Sequence, residues 1–347
     1  MNLLPLRLIL GRECVLFGKE RPPEAVEHKD GKRTVNIGPQ RIRGKMRSEQ
    51  IGNSLSAVER HTSELIGAIN HRLEQLLPHE SATPRTLREA MAYSLLAPGK
   101  RLRPLLTILT STHLGRRDLV ALDAACAIEM VHAASLILDD LPAMDDASVR
   151  RGKPTVHRAF GEHIAILSSV ALLNHAFSIL ATHAHVPAET RTDLVRVVTA
   201  AIGTEGLIGG QVLDLNLRSN PTGDGEIGKI NGLKTAALFS AATEAGALIA
   251  GVNGETLKTV QQFALELGSA FQIADDLLDD PTYAGMTGKD TGKDFNKPTI
   301  PSTLGSADAR RLLHTHLDAA RRCLDATGST DKRLASILDL GFAQFLS

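Results

Sequence analysis

From Ser56 onward, apolar residues recur at steps of mostly three and four. Val58, Leu65, Ile66, Ile69, Leu73 and Leu76 open the pattern, which is the spacing of one face of an α-helix. The same periodicity predicts further helices over about 86–96, 102–113, 118–142, 158–183, 188–210, 229–251, 255–279, 306–326 and 331–344. Between them stand residues that turn or interrupt a chain: Pro98-Gly99, Gly115, Arg151-Gly152, Pro187, Ser219 to Gly225, and Gly251 to Gly254. Few stretches alternate with period two. Some helices, such as AALFSAATEAGALIAG at 236–251, are apolar on more than one face, which predicts burial inside a large bundle or at a subunit interface. The expected fold is all-α, a single large helical bundle spanning residues 56–347. Residues 1–55 mix Pro, Gly and many charges without sustained periodicity. They are expected to form a flexible arm, or to precede a true start near Met46.

Composition agrees with helices. Hydrophobic residues make up 43%, aromatics only 3%, and Trp is absent. Ala and Leu must fill the core, which favours close-packed helices over a sheet rich in β-branched and aromatic side chains. Lys plus Arg and Asp plus Glu both total 39, so no bulk charge draws the chain to nucleic acid or to an anionic membrane. No run of about 20 uncharged apolar residues is read, so no membrane span is expected. The opening MNLLPLRLILGRECVLFG is broken by Arg7, Arg12 and Glu13 and leads to no clear small-residue cleavage site, so it is not read as a targeting signal. Cys14, Cys126 and Cys323 are far apart and odd in number. They form no disulfide or zinc pattern and fit a reducing cytoplasm. Cys126, in an apolar run, is expected in the core.

The acidic charge is locally concentrated. In LILDDLPAMDDASVRRGKPTVH, residues 136–157, Asp139, Asp140, Asp145 and Asp146 follow an apolar run. Asp139 and Asp145 are six residues apart, roughly 9 Å along an ideal helix, and Pro142 disturbs the backbone between them so that they can share a face. In FQIADDLLDD, residues 271–280, Asp275 and Asp279 form an i, i+4 pair, as do Asp276 and Asp280. Carboxylates this crowded repel one another unless cations lie between them. Oxygen-only donors suit Mg²⁺, which bridges one or two carboxylates to substrate phosphates. One acidic helix end is ordinarily a solvated face. Two, each after a strongly apolar helix and each beside basic motifs, point to a diphosphate held through metal ions. Lys100, Arg101 and Arg103 follow Pro98-Gly99 at a helix start, a good anion site. Arg150-Arg151 directly follows the first cluster, where it can reach phosphates or compensate the aspartates. His132 lies two turns before Asp139 on the same face. Lys234-Thr235 precedes an Ala-rich helix, and Lys289, Lys293 and Lys297 lie in a Gly-containing stretch after the second cluster that could close as a lid.

With GKRLRP at 99–104, RRGKPTVH at 150–157, GGQVLDL at 209–215, Lys234-Thr235, FQIADD and GKDTGKDFNKPT at 288–299, these motifs stand in one order over about residues 85–305. In that order the chain resembles the trans-polyprenyl diphosphate synthase family, and within it the bacterial geranylgeranyl diphosphate synthases of carotenoid pathways. The resemblance implies a bundle around a deep central cavity, a cytoplasmic homodimer, and Mg²⁺-dependent head-to-tail condensation of isopentenyl diphosphate with an allylic diphosphate, with three ions to a site. It implies metal-holding roles for Asp139, Asp145, Asp275 and Asp279, with Asp139, Asp145, Asp275 and Lys234 central to catalysis. Arg150, Lys234, Thr235, Gln272 and Lys289 match positions around the allylic diphosphate. Lys100, Arg103, His132 and Arg151 match those that grip isopentenyl diphosphate. Ser135 and Ala134, four and five residues before the first aspartate, match the wall of the elongation channel. Both are small, so the expected product is geranylgeranyl diphosphate (C20), and Phe or Tyr at 134 should shorten it. The alternatives are a farnesyl (C15) synthase, a non-catalytic subunit of a heteromeric synthase, and a terpene cyclase. Two aspartate motifs and scarce aromatics argue against the last.

Overall fold

The computed structural model describes residues 39–116, 118–219, 236–279 and 300–345, with the side chains of 39–57, 217–219, 279, 340 and 344 left aside. The helices are α1 (Pro39–Leu76), α2 (Arg85–Leu95), α3 (Leu102–His113), α4 (Ala121–Asp139), α5 (Val156–Phe160), α6 (Glu162–Ala181), α7 (Ala188–Ile202), α8 (Leu207–Ser219), α9 (Ala237–Ile249), α10 (Gly254–Asp279), α11 (Ile300–Leu304), α12 (Ser306–Ala326) and α13 (Arg333–Gly341). This is the all-helical bundle that the periodicity predicts. The helix expected from Ser56 begins at Pro39. Two other expected helices are each split at glycine. Gly161, at φ 87°, separates α5 from α6, and the stretch from Gly203 to Gly206 separates α7 from α8.

The sequence pattern does not reveal a two-stranded hairpin, β1 (Val149–Arg150) paired antiparallel with β2 (Lys153–Pro154). Arg151 at φ 53° and Gly152 at φ 76° form its tip. Two successive residues at positive φ are what a two-residue hairpin loop with the right twist requires. The hairpin is fastened from outside. Tyr93 donates from its hydroxyl to the Pro154 carbonyl at 2.8 Å, Lys153 lies over the Tyr93 ring at 5.5 Å, and Thr155 donates to the Ala147 carbonyl at 2.8 Å.

Helix α4 is the centre of the bundle. It packs against α6, α3 and α9, and more lightly against α1 and α2. Of its 19 residues, 12 are buried, as befits a helix apolar on all sides. Alanines at 121, 124, 125, 127, 133 and 134 keep it thin. Cys126 is wholly buried among them, and burial pushes its thiol pKa up. Helix α9 comes equally close to α3: a Cβ on Gly246 would stand 2.4 Å from the Thr107 carbonyl oxygen. By length and composition α4 and α6 would each suffice to cross a membrane, a test that the buried core helix of a bundle also passes, and the apolar window of α4 is 67% buried.

Candidate active site

Helix α4 ends at Asp139, and the chain folds back at once. The Asp145 amide donates to the Asp139 carbonyl at 2.9 Å, and the Asp146 amide to that of Leu141 at 3.1 Å. The backbones of Asp139 and Asp145 are therefore joined directly, not spread along a continuing helix. Pro142 and a left-handed Asp146 at φ 45° make the reversal. Asp140 points the other way. It is buried and receives Arg150, with Nη2 at 2.6 Å and Nε at 2.8 Å from Oδ1. Burial works against the Arg150 charge, but the Asp140 hydrogen bond and the carboxylates of Asp140, Asp139 and Asp145 raise its pKa above the ordinary value. Arg150 thus compensates the aspartates as well as lying beside them. Asp146 pairs with Arg158 at 3.3 Å.

The second cluster repeats this division. Asp276 accepts from Gln272 Nε2 at 2.7 Å and from the Ile300 amide at 3.1 Å. It therefore serves one of the unpaired amides at the start of α11. In each motif the second aspartate braces the structure. Asp275 is half-buried beside it, and Asp279 closes α10.

A line of contacts connects the two helix ends. His132, two turns before Asp139, accepts from Arg103 Nη1 at 3.3 Å. The Arg103 guanidinium lies over the Phe239 ring at 4.8 Å. Phe239 packs on Phe271 with centroids 4.9 Å apart, and Phe271 is one turn before Asp275. A guanidinium only donates, so His132 Nε2 carries a lone pair and the ring is neutral, with its proton on Nδ1. In agreement, burial and then the charges of Arg103, Arg151, Arg150 and Arg101 hold the His132 pKa well below the ordinary imidazole value.

The cations form a pocket of their own. Arg103 is pushed down to about 10, chiefly by burial, with Glu129 opposing and Arg151 adding to the shift. Its Nε is buried with no partner. Arg151 is also lowered, first by burial and then by Arg101 and Arg150, against Glu129. Its guanidinium lies where a Cβ on Gly99 would stand, 2.8 Å from Nη1. Lys100 is exposed on the adjoining loop. Arg101, read from the sequence as part of an anion site, instead points inward and binds Glu129. Cations held together at a cost, one of them with an unused buried donor, are prepared for a polyanion.

Ala134 is fully buried, and its carbonyl accepts from Ser169 of α6 at 2.9 Å. Ser135 is partly exposed on the Asp139 face, with its hydroxyl turned back to the His132 carbonyl at 2.9 Å. Lys234, Thr235 and Lys289 lie outside the described residues, as do Lys293 and Lys297. Among the described residues, no three His, Cys, Asp or Glu side chains converge as a protein-only metal cage. Mg²⁺, which keeps several waters and bridges carboxylates to phosphates, needs no such cage, and the oxygen-only donors fit it. The list of sequence candidates omitted Gln211 and Asp214, which are buried in α8. Both polar atoms of the Gln211 side chain lack a partner. A glutamine and an aspartate three residues apart within an otherwise apolar GGQVLDL were the available signal.

An all-helical bundle with two carboxylate-ended helices flanking a cationic pocket defines a class of enzymes that handle diphosphates. The comparisons make that class specific. The family model described as Polyprenyl synthetase matches residues 84–327. The geranylgeranyl diphosphate synthase of Pantoea ananas is 42% identical over 266 residues, covering 76% of this chain and 86% of that protein. The farnesyl diphosphate synthase of Geobacillus stearothermophilus is 39% identical over 288 residues, covering 82% and 97%. The crystal structure of an FPP/GFPP synthase from Zymomonas mobilis superposes with a TM-score of 0.73 at 35% identity, covering 82% of this chain and 98% of that one. The chain belongs to the polyprenyl synthetase family and is a prenyltransferase.

Proposed function

We propose that this enzyme elongates an allylic diphosphate with isopentenyl diphosphate and releases mainly geranylgeranyl diphosphate. The observation that carries the reading is the pocket that Arg103 and Arg151 form beside His132, which lies on the same helix face as Asp139, with a buried Arg103 Nε left free for an acceptor. In this reading Lys100, Arg103 and Arg151 bind the diphosphate of isopentenyl diphosphate. Neutral His132 orients Arg103 and can donate from Nδ1. Asp139, Asp145, Asp275 and Asp279 would hold Mg²⁺, three ions to a site, which when bound neutralises the charge growing on the departing diphosphate. Arg150, kept protonated by Asp140, adds a fixed cation at that place. Lys234, Thr235, Gln272 and Lys289 are proposed to complete the allylic diphosphate site. Phe239 and Phe271 line the way between the two ends with apolar surface, which keeps water from a carbocation. The isopentenyl double bond attacks that carbocation, and the proton is lost to the released diphosphate. The working unit is proposed to be residues 56–347 as a cytoplasmic homodimer.

Small Ala134 and Ser135 support C20 over C15. The likeness to a farnesyl diphosphate synthase at 39% identity favours the second reading. The test is purified protein with isopentenyl diphosphate, an allylic primer and Mg²⁺, followed by chromatography of the dephosphorylated products. A C20 alcohol is expected. A C15 alcohol moves the assignment to the farnesyl synthase, and no prenyl product from the single chain removes the catalytic reading.

A further inference from the structure

Glu129 is the acidic residue at the back of the cationic pocket. It lies on α4, one turn before His132, only 3% exposed. Its Oε1 accepts from Arg101 Nη1 at 2.7 Å. Arg101 also donates from Nε to Asn70 Oδ1 of α1 at 2.8 Å and from Nη2 to the Ala97 carbonyl of its own loop at 3.0 Å. The same Ala97 carbonyl lies 3.5 Å from Arg151 Nη1. Arg101 is also held at φ 49°, a left-handed conformation that a non-glycine residue adopts only at a cost. That bend turns this side chain inward to Glu129, while Lys100 stays exposed and Arg103, at the start of α3, reaches His132 and Phe239.

We propose that Glu129 is the positioning residue of this pocket: through Arg101 it fixes the turn from Ala97 to the start of α3, and so holds Arg103 and Arg151 side by side before any diphosphate arrives. The inference rests on reading the pocket as the isopentenyl diphosphate site. Arg103 is faced by His132 and Glu129 from α4, by Arg151 from the hairpin and by Phe239 from α9. Glu129 is the group among these that opposes the depression of the Arg103 pKa. It does the same for Arg151. Glu129 does not touch substrate, and its added negative charge even weakens the attraction for an anion. What it contributes is order.

Two variants separate tether from charge. Glu129→Gln keeps an acceptor for Arg101 and removes the charge, so KM for isopentenyl diphosphate should change less than about threefold. Glu129→Ala removes the tether and should raise KM for isopentenyl diphosphate about tenfold or more, with a much smaller change for the allylic substrate. If Glu129→Ala unfolds, Arg101→Met with Glu129→Gln breaks the same tether without leaving a buried charge unpaired, and it should raise the same KM. A folded Glu129→Ala or double variant with the wild-type KM for isopentenyl diphosphate overturns the proposal. So does a Glu129→Ala that raises both KM values alike, or a Glu129→Gln as impaired as Glu129→Ala. Failure of the wild-type protein to make any prenyl product overturns the underlying reading of the site instead.

Discussion

At the scale of single residues, the site depends on positions that never meet substrate. Gly99 is one. A methyl group there would stand 2.8 Å from Arg151 Nη1 and 3.0 Å from its Cζ. The obstructed atoms are the far end of a flexible side chain, so Gly99→Ala should cost less than about 0.5 kcal/mol of stability. It should nonetheless displace the guanidinium and raise KM for isopentenyl diphosphate about tenfold. Parallel thermal melts and steady-state kinetics check both halves, and an unchanged KM would show that Arg151 does not bind that substrate. The channel residues divide in the same way. Ser135 is one turn before Asp139 and partly exposed, whereas Ala134 is sealed against Ser169. Ser135→Phe should therefore shift the product from C20 toward C15 with little loss of stability. Ala134→Phe should also shorten the product but melt at lower temperature, since overpacking a tight core costs typically 1–3 kcal/mol. Product chromatography beside melting curves separates them. Ser135→Phe that still yields mainly C20 would remove Ser135 from the channel wall.

At the scale of elements, what could be read in advance was what repeats. The periodicity gave α2, α3, α10 and α12 to within a residue or two, because each presents one apolar stripe and ends at a plain breaker. The reversal after Asp139 and the hairpin at 149–154 were not legible as shapes. They are made by i+6 and i+5 amide bonds and by Arg151 at positive φ, and neither has a periodic signature. For the same reason the aspartate motifs were visible as carboxylate clusters, but their division of labour was not. Only the fold shows Asp140 and Asp276 turned to Arg150 and to the start of α11. Gly246 was equally silent in the sequence, since a glycine inside an Ala-rich helix looks dispensable. In the bundle it lets α9 rest on the Thr107 carbonyl of α3. Gly246→Ala removes about 1 kcal/mol of helix-propensity penalty but drives a carbon into backbone. The net effect should be destabilisation by about 2 kcal/mol, read as a lower melting temperature. A variant as stable as the wild type would mean that the two helices can separate freely. Because Phe239 and Arg103 lie on these same two helices, activity should fall with it.

At the scale of the whole molecule, α6 leaves an apolar stripe uncovered in the single chain. Its most apolar 18-residue window is only 39% buried, against 67% for α4. Ile166, Leu167 and Val170 are 45%, 54% and 55% exposed and lie at helical spacing on one side. Scattered exposed leucines are normal on a protein surface, but an apolar stripe on a helix is a contact surface. The opposite side of α6 packs on α4 at Ser169 and Ala134, behind the Asp139 face. A second copy seated on this stripe would brace the wall of the site from outside, which ties the proposed homodimer to catalysis as well as to stability. Leu167→Glu places a charge in the middle of the stripe and cannot be buried there without a large desolvation cost. The wild type should sediment as a dimer and Leu167→Glu as a monomer, with helical content by circular dichroism retained. The monomer should melt at lower temperature and lose activity, with the loss smaller at high protein concentration, where mass action restores the pair. Wild-type protein that sediments as a monomer at all concentrations, or a Leu167→Glu dimer, would place the subunit contact elsewhere and leave the stripe to another partner.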